Sequence, residues 1–171
     1  MMKRSIAALA LVFCLLGAGF LSGCKGQEGG GEGSGESPEA QSAAEIQVQA
    51  LADQLLAEVS FEDQLSQVDQ NTALMLYGLE ESQVADFAVY AGSGATAEEI
   101  AVFEAVDGDA AKAVQEGMQA RLSSQISDYG DYRPQEVPKL ESAVVKTSGN
   151  YVVLCVSADN DAAADLIEEA F

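Results

Sequence analysis

The chain of 171 residues contains eight Lys and Arg, 28 Asp and Glu and no His, which gives a formal net charge of −20. A chain this acidic has no electrostatic footprint for nucleic acid, and we expect no nucleic-acid partner. Without histidine, Ser-His-Asp and Cys-His catalysis and zinc sites that contain His are excluded in their usual forms, and we expect no cofactor.

The first residues follow the order of a secretory signal peptide. Lys3 and Arg4 precede an apolar run over residues 6–20, and small residues precede Cys24. The run Leu21-Ser22-Gly23-Cys24 resembles the lipobox of bacterial lipoproteins, in which the cysteine is lipidated and becomes the new N-terminus. The resemblance implies that residues 1–23 are removed, that Cys24 carries the lipid, and that this anchor holds the protein at the extracytoplasmic face of the bacterial cell membrane. The alternative is a secreted protein with a cysteine at its cleavage position.

Residues 24–43 comprise the expected lipidated cysteine and a segment rich in Gly, Ser and Glu. Such a composition buries too little apolar area to fold, so we predict a flexible tether in front of a single domain of residues 44–171. A glycine-rich phosphate-binding loop would need a strand before it and a helix after it. The pattern shows neither, and it therefore favours a spacer.

The first part of the domain is predicted to be helical. Apolar residues recur at helical spacing over residues 44–59, whereas residues 61–68 favour irregular structure that packs a few apolar side chains. Asn71 or Thr72 is the expected cap of a short helix that ends at Gly78.

The next stretch allows two interpretations. Residues 84–91 alternate as a strand does, and glycines follow. Thr96 and Glu99 have the spacing of a capping box and favour a helix in the following segment, but its β-branched residues favour a strand. Because a strand needs a hydrogen-bonding partner, we predict that residues 98–106 pair antiparallel with the preceding strand through a turn at residues 92–97.

The second half repeats this order. Asp107 is placed to cap a helix over residues 109–128 that ends near Gly130. Residues 142–147 and 151–157 are β-rich runs separated by Ser148-Gly149-Asn150, which is a strong hairpin signal.

The second of these two runs is apolar on both faces, so we expect a central strand with Cys155 as a buried free thiol. A helix over residues 159–171 closes the chain. The prediction is an α+β fold: a four-stranded, mostly antiparallel sheet from two hairpins in ββαββα order, with helices packed on it and an N-terminal helix before it.

Several segments resemble a family of uncharacterised bacterial lipoproteins, domain of unknown function 4358. The segments are Tyr77-Gly78, Phe87-Ala88-Val89-Tyr90, Ala95-Thr96-Ala97-Glu98-Glu99-Ile100-Ala101-Val102-Phe103, Ala143-Val144-Val145-Lys146 and Gly149-Asn150-Tyr151-Val152. The similarity covers about residues 46–171. The family has no established activity, so the resemblance implies a domain boundary and an address but no functional residues.

Carboxylate chemistry remains open in two acidic pairs. Asp107 with Asp109, and Asp159 with Asp161, could act as acid and base or bind Ca²⁺ through oxygen. Each pair also lies where a helix is predicted to begin, where a carboxylate caps the helix, and capping is the favoured interpretation.

Two further features are weighed in the same way. The small residues 92–96 could hold a ligand, but without a base or a G-x-S-x-G motif they favour a turn. Tyr90, Tyr129, Tyr132 and Tyr151 could line a peptide or glycan groove, although tyrosines at element ends more often bury part of the ring.

Two functions follow from this pattern. The favoured one is a non-enzymatic surface lipoprotein, a binding or accessory module whose partner is an envelope protein or a glycan. The alternative is a small hydrolase that attacks cell-wall or glycan substrates with two carboxylates about 5–9 Å apart in a cleft.

Overall fold

The computed structural model describes residues 45–171, so the predicted leader, Cys24 and the tether lie outside the described residues. The helices are α1 (Val48–Glu58), α2 (Gln70–Tyr77), α3 (Gly108–Tyr132), α4 (Val137–Glu141) and α5 (Asn160–Ala170). The strands are β1 (Ser66–Gln67), β2 (Val84–Ala91), β3 (Glu99–Ala105), β4 (Val144–Ser148) and β5 (Tyr151–Val156). Two 3₁₀ turns, Glu81–Gln83 and Pro134–Glu136, complete the described elements. None of the helices in residues 45–171 is long and apolar enough to cross a bilayer.

The strands form one antiparallel sheet in the order β1-β2-β3-β5-β4. The α+β class is confirmed, but the prediction of four strands is wrong by one. The extra strand is β1, in which Ser66 pairs with Ala91 and Gln67 with Tyr90. Both β1 residues are exposed, so no apolar alternation marks this strand in the sequence.

The strand interpretation of residues 98–106 is confirmed. β2 and β3 pair from Ala91 opposite Glu99 to Val84 opposite Ala105, with a bulge near Asp86. The rings of Phe87 and Phe103 stack across this pair, with centroids 6.1 Å apart. The capping-box spacing therefore does not start a helix here.

The second hairpin is also confirmed. β4 and β5 are joined by Gly149 and Asn150, and Gly149 adopts the left-handed φ of 57° that a tight turn requires. β5 lies between β3 and β4 and is buried along its whole length, as a central strand should be. Cys155 is a buried free thiol, and burial raises its pKa to about 12.

The sheet carries helices on both faces. Helices α1 and α5 cover one face through residues that include Leu51, Leu55 and Ile167, packed on Ile100 and Val153. Helices α2, α3 and α4 cover the other face, with Val114, Met118 and Leu140 packed among Phe103 and Leu154. β3 and β5 send alternate side chains into both cores, which explains why β5 and the segment of β3 between Glu99 and Glu104 are apolar.

Two helix boundaries differ from the sequence prediction. α3 does not end near Gly130 but continues to Tyr132, where Arg133 N–H donates to the Tyr129 carbonyl at 2.7 Å and Pro134 stops the helix. α2 is capped by Asp69 rather than by Asn71 or Thr72. A side-chain acceptor three residues before a backbone N–H is what the first turn needs, and Asp69 Oδ1 accepts from Thr72 N–H at 3.1 Å.

Candidate functional site

The connection between β2 and β3, residues 92–98, is where most of the unusual polar contacts of the molecule converge. Its exposed part is made of small residues, as predicted for a turn. Asp63 Oδ2 accepts hydrogen bonds from Ser93 N–H at 2.8 Å and from Ser93 Oγ–H at 2.7 Å. These bonds lower the pKa of Asp63 and keep it ionised.

The approach of Asp63 explains a glycine in this connection. A Cβ added at Gly92 would lie 2.8 Å from Asp63 Oδ2, which is closer than atoms pack. Gly94 has a φ of 84°, a left-handed value that L side chains rarely adopt. Gly94 is therefore favoured by its backbone conformation, whereas Gly92 leaves room for the Asp63 carboxylate, and neither glycine indicates a phosphate site.

Glu98 holds the C-terminal end of the connection through hydrogen bonds. It is only 2% exposed, and its Oε2 accepts from the backbone N–H groups of Glu62 at 2.8 Å and Asp63 at 2.9 Å. Two backbone donors stabilise a buried carboxylate in its charged form. Glu98 thus ties the β2–β3 connection to the segment that follows α1.

Lys139, on α4, contacts a group of three carboxylates. Its Nζ lies 2.8 Å from Glu62, 3.2 Å from Glu98 and 3.3 Å from Glu136. Burial alone would lower the pKa of Lys139, but hydrogen bonds to Glu62 and Glu98 outweigh it and the pKa is raised. Glu136 in turn accepts from Ala97 N–H at 3.1 Å, so this group also holds the connection.

A second buried pair lies at the first residue of β3. Glu99 is 1% exposed and accepts from Arg121 Nε–H at 2.7 Å, from a second Arg121 N–H and from the Tyr77 hydroxyl. The Arg121 guanidinium lies 5.5 Å from the centre of the Tyr77 ring. Burial, followed by the charge of Glu99, raises the pKa of Tyr77 well above its ordinary value.

A surface hollow of about 540 Å³ adjoins these contacts. Its lining comes from one short stretch of the chain and comprises Leu56, Val59, Ser60, Phe61, Asp63, Gln64 and Leu65. The volume falls in the range of small-ligand sites. Asp63 is shared between the hollow and the β2–β3 connection, so the two features form one surface.

The two acidic pairs singled out in the sequence lie elsewhere and cap helices. Asp107 Oδ1 accepts from Asp109 N–H at 3.0 Å and from Ala110 N–H at 2.8 Å at the start of α3. Asp159 Oδ1 accepts from Ala162 N–H at 3.1 Å at the start of α5. In the described part of the chain, no group of three or more His, Cys, Asp or Glu is arranged to hold a metal ion.

The four tyrosines do not line one groove. Tyr90 and Tyr151 belong to the core under α1 and α5. Tyr129 lies on α3 with its ring 5.1 Å from that of Tyr132, and its hydroxyl donates to the Thr96 carbonyl. Tyr129 thus supports the β2–β3 connection from another side, while Tyr132 is 59% exposed.

Sequence reasoning missed the residues that organise this surface. Glu98, Arg121, Glu136 and Lys139 were given no role, and Glu99 was considered only as part of a capping box with Thr96. The predicted lipid site, Cys24, lies outside the described residues. The available signal was the pair Glu98-Glu99 at the start of a mostly apolar strand. Charged residues there are costly unless they are paired, so the pattern indicates partners elsewhere in the chain.

Comparison with models of known protein families matches residues 57–157 to the family described as Domain of unknown function (DUF4358). The matched span begins in the last turn of α1 and ends just after β5, so it contains the β2–β3 connection and all but one of the residues around the hollow. No curated protein and no solved structure matches the chain.

Proposed function

The chain belongs to the family described as Domain of unknown function (DUF4358), and we propose that it is a lipid-anchored binding module of the bacterial envelope. The proposal rests on one observation: side chains from other segments form hydrogen bonds that hold the partly exposed β2–β3 connection. Residues 92–98 are bound by side chains from three separate segments, through Asp63, Tyr129 and Glu136. Connecting segments are ordinarily mobile, and fixing one in advance lowers the entropy cost of binding a partner.

The burial and hydrogen bonding of the carboxylates also support a binding function rather than a hydrolase. Glu98 and Glu136 lie close enough to share Lys139, but both are buried and both accept from backbone N–H groups. A glycosidase needs its two carboxylates at an accessible bond. The hollow beside the connection is lined by one carboxylate, Asp63, whose Oδ2 accepts from Ser93 and whose Oδ1 accepts from Gln64 N–H.

The anchor part of the proposal rests on the run Leu21-Ser22-Gly23-Cys24. Growth with an alkyne-tagged fatty acid should label the wild-type protein in membranes and leave the Cys24→Ser protein unlabelled. Equal labelling of both proteins would contradict the anchor without bearing on the domain.

The binding part is tested by capture from a bacterial envelope extract. Gln64 lines the hollow and is exposed, whereas Gln119 is exposed on α3, which covers the other face of the sheet. Full-length Cys24→Ser chain should retain a specific envelope component. The added change Gln64→Trp should abolish capture by filling the hollow, and the matched change Gln119→Trp should preserve it. Equal capture by both Trp variants, or capture no greater than on an empty resin, would overturn the proposal.

A further inference from the structure

The hollow at residues 56–65 combines apolar walls with an acidic environment. Leu56, Val59, Phe61 and Leu65 supply the apolar part, and Asp63 is the charged residue in the lining. Hydrogen bonds from Ser93 keep Asp63 in its ionised form. An occupant must therefore offer apolar surface and must tolerate, or be attracted by, negative charge.

Two further carboxylates lie within the same stretch of sequence, between residues that line the hollow. Exposed Glu58 immediately precedes Val59, and Glu62 lies between Phe61 and Asp63 with more than half of its side chain exposed. The cation that reaches this region, Lys139, already contacts three carboxylates. Local charge around the hollow is thus negative after its nearest cation has been counted.

The rest of the chain is also strongly acidic and adds to the negative potential around the hollow. The chain carries 28 acidic residues against eight basic ones. Lys112, Arg121 and Lys146 each form an ion pair with a carboxylate of the same chain. An excess of one sign over a whole surface raises the association rate of partners of the opposite sign.

From these observations, and resting on the proposed binding function, we propose that the hollow binds a cationic peptide segment of a partner protein with an apolar side chain as its anchor. The apolar side chain enters between Phe61 and Leu65, and basic residues on either side face Glu58, Glu62 and Asp63. Protein interfaces commonly contain a small buried anchor surrounded by complementary charges. The anchor supplies most of the affinity, and the charges raise the association rate and the specificity.

The experiment measures binding of three synthetic peptides to the full-length Cys24→Ser chain by calorimetry. The first is a short lysine-rich peptide with one central phenylalanine, the second has serine in place of the phenylalanine, and the third has glutamine in place of every lysine. We expect the first to bind best and to weaken as salt is raised. A neutral oligosaccharide serves as the competing ligand class, because the exposed ring of Tyr132 is the surface that a sugar would use.

Matched charge changes locate the site. Gln64→Lys should weaken the first peptide by about tenfold and Gln64→Glu should strengthen it, whereas Gln119→Lys, with the same change in net charge, should alter binding by less than about twofold. Equal effects of the two Lys changes would show a general charge effect and overturn the proposal. So would equal binding of all three peptides, or binding of none. Binding of the oligosaccharide alone, lost in Tyr132→Ala, would overturn the peptide assignment and leave the binding module standing.

Discussion

The β4–β5 hairpin turns through Gly149 and Asn150 alone, whereas the β2–β3 hairpin turns through residues 92–98 held by side chains from distant segments. In the first case the conformation is set locally, by a glycine with a φ of 57°. In the second it is set by Asp63, Glu98 and Glu136, which are brought together only by folding. The same topological element can thus be specified by its own residues or by its surroundings, and in this protein the second kind forms part of the surface that we propose for binding.

The largest expected effect comes from breaking the buried pair at the start of β3. In Arg121→Met, Glu99 remains buried with Tyr77 as its remaining donor, and the free energy of unfolding should fall by about 3–5 kcal/mol in urea titrations. The double variant Arg121→Met with Glu99→Gln removes the stranded charge and should recover much of the loss. A double variant as unstable as the single one would show that Arg121 acts through packing and not through its charge.

The pH dependence of stability separates the two hairpins. Burial raises the pKa of Cys155, on β5, from 9.0 to about 12, so stability from its neutral form is full below pH 9 and is lost as the pH rises towards 12. By pH 11 the free energy of unfolding should fall by about 2–3 kcal/mol. The raised pKa values of Tyr77 and Lys139, which support the other hairpin, act in the same direction but only above about pH 10.

Cys155→Ala isolates the contribution of the β4–β5 hairpin. The variant should be less stable at pH 8 because it leaves a cavity, but its unfolding free energy should stay level between pH 8 and pH 10. A decline in that range equal to that of the wild type would assign the titration to another group.

The smallest effects are expected at Gly94 and Gly149, the left-handed glycines in the two hairpins. Gly149→Ala should lower the free energy of unfolding by about 1–2 kcal/mol, because a two-residue turn offers no other place for the positive φ. Gly94→Ala, in the longer connection, should cost less, about 1 kcal/mol, because neighbouring residues can share the change. Amide hydrogen exchange should show loosening confined to each altered hairpin. A larger cost at Gly94 would mean that the distant contacts make the longer connection the stiffer of the two.

Much of the fold could be predicted because the signals are local. The stripe through Val114 and Met118 on α3, the Gly149-Asn150 turn and the αL glycine at the end of α2 each depend on a few consecutive residues. β1 could not be found, because two exposed residues that pair at the edge of a sheet leave no periodic pattern. The end of α3 was misplaced for a related reason: Gly130 marks a possible stop, but Pro134 is the residue that enforces one.

The hollow and the contacts beside it could not be predicted from local sequence patterns. Phe61 and Leu65 were recognised as packing residues, but their sequence does not reveal that they surround an open space. Glu62 and Glu98 come together across 36 residues, and Glu98 and Lys139 across 41. No spacing rule connects positions so far apart.

The amino-acid sequence by itself determined the acidic character of this protein, the leader pattern ending at Cys24, the family, and the helices and hairpins that short-range periodicity and turn chemistry specify. Only the tertiary structure decided what Glu98, Glu99 and Glu136 do. A buried carboxylate is stable only where donors converge on it, and here the donors come from α3, α4 and the segment after α1. That convergence holds the backbone of residues 92–98, because Glu98 at one end of the connection is buried against donors from the segment after α1 and from α4.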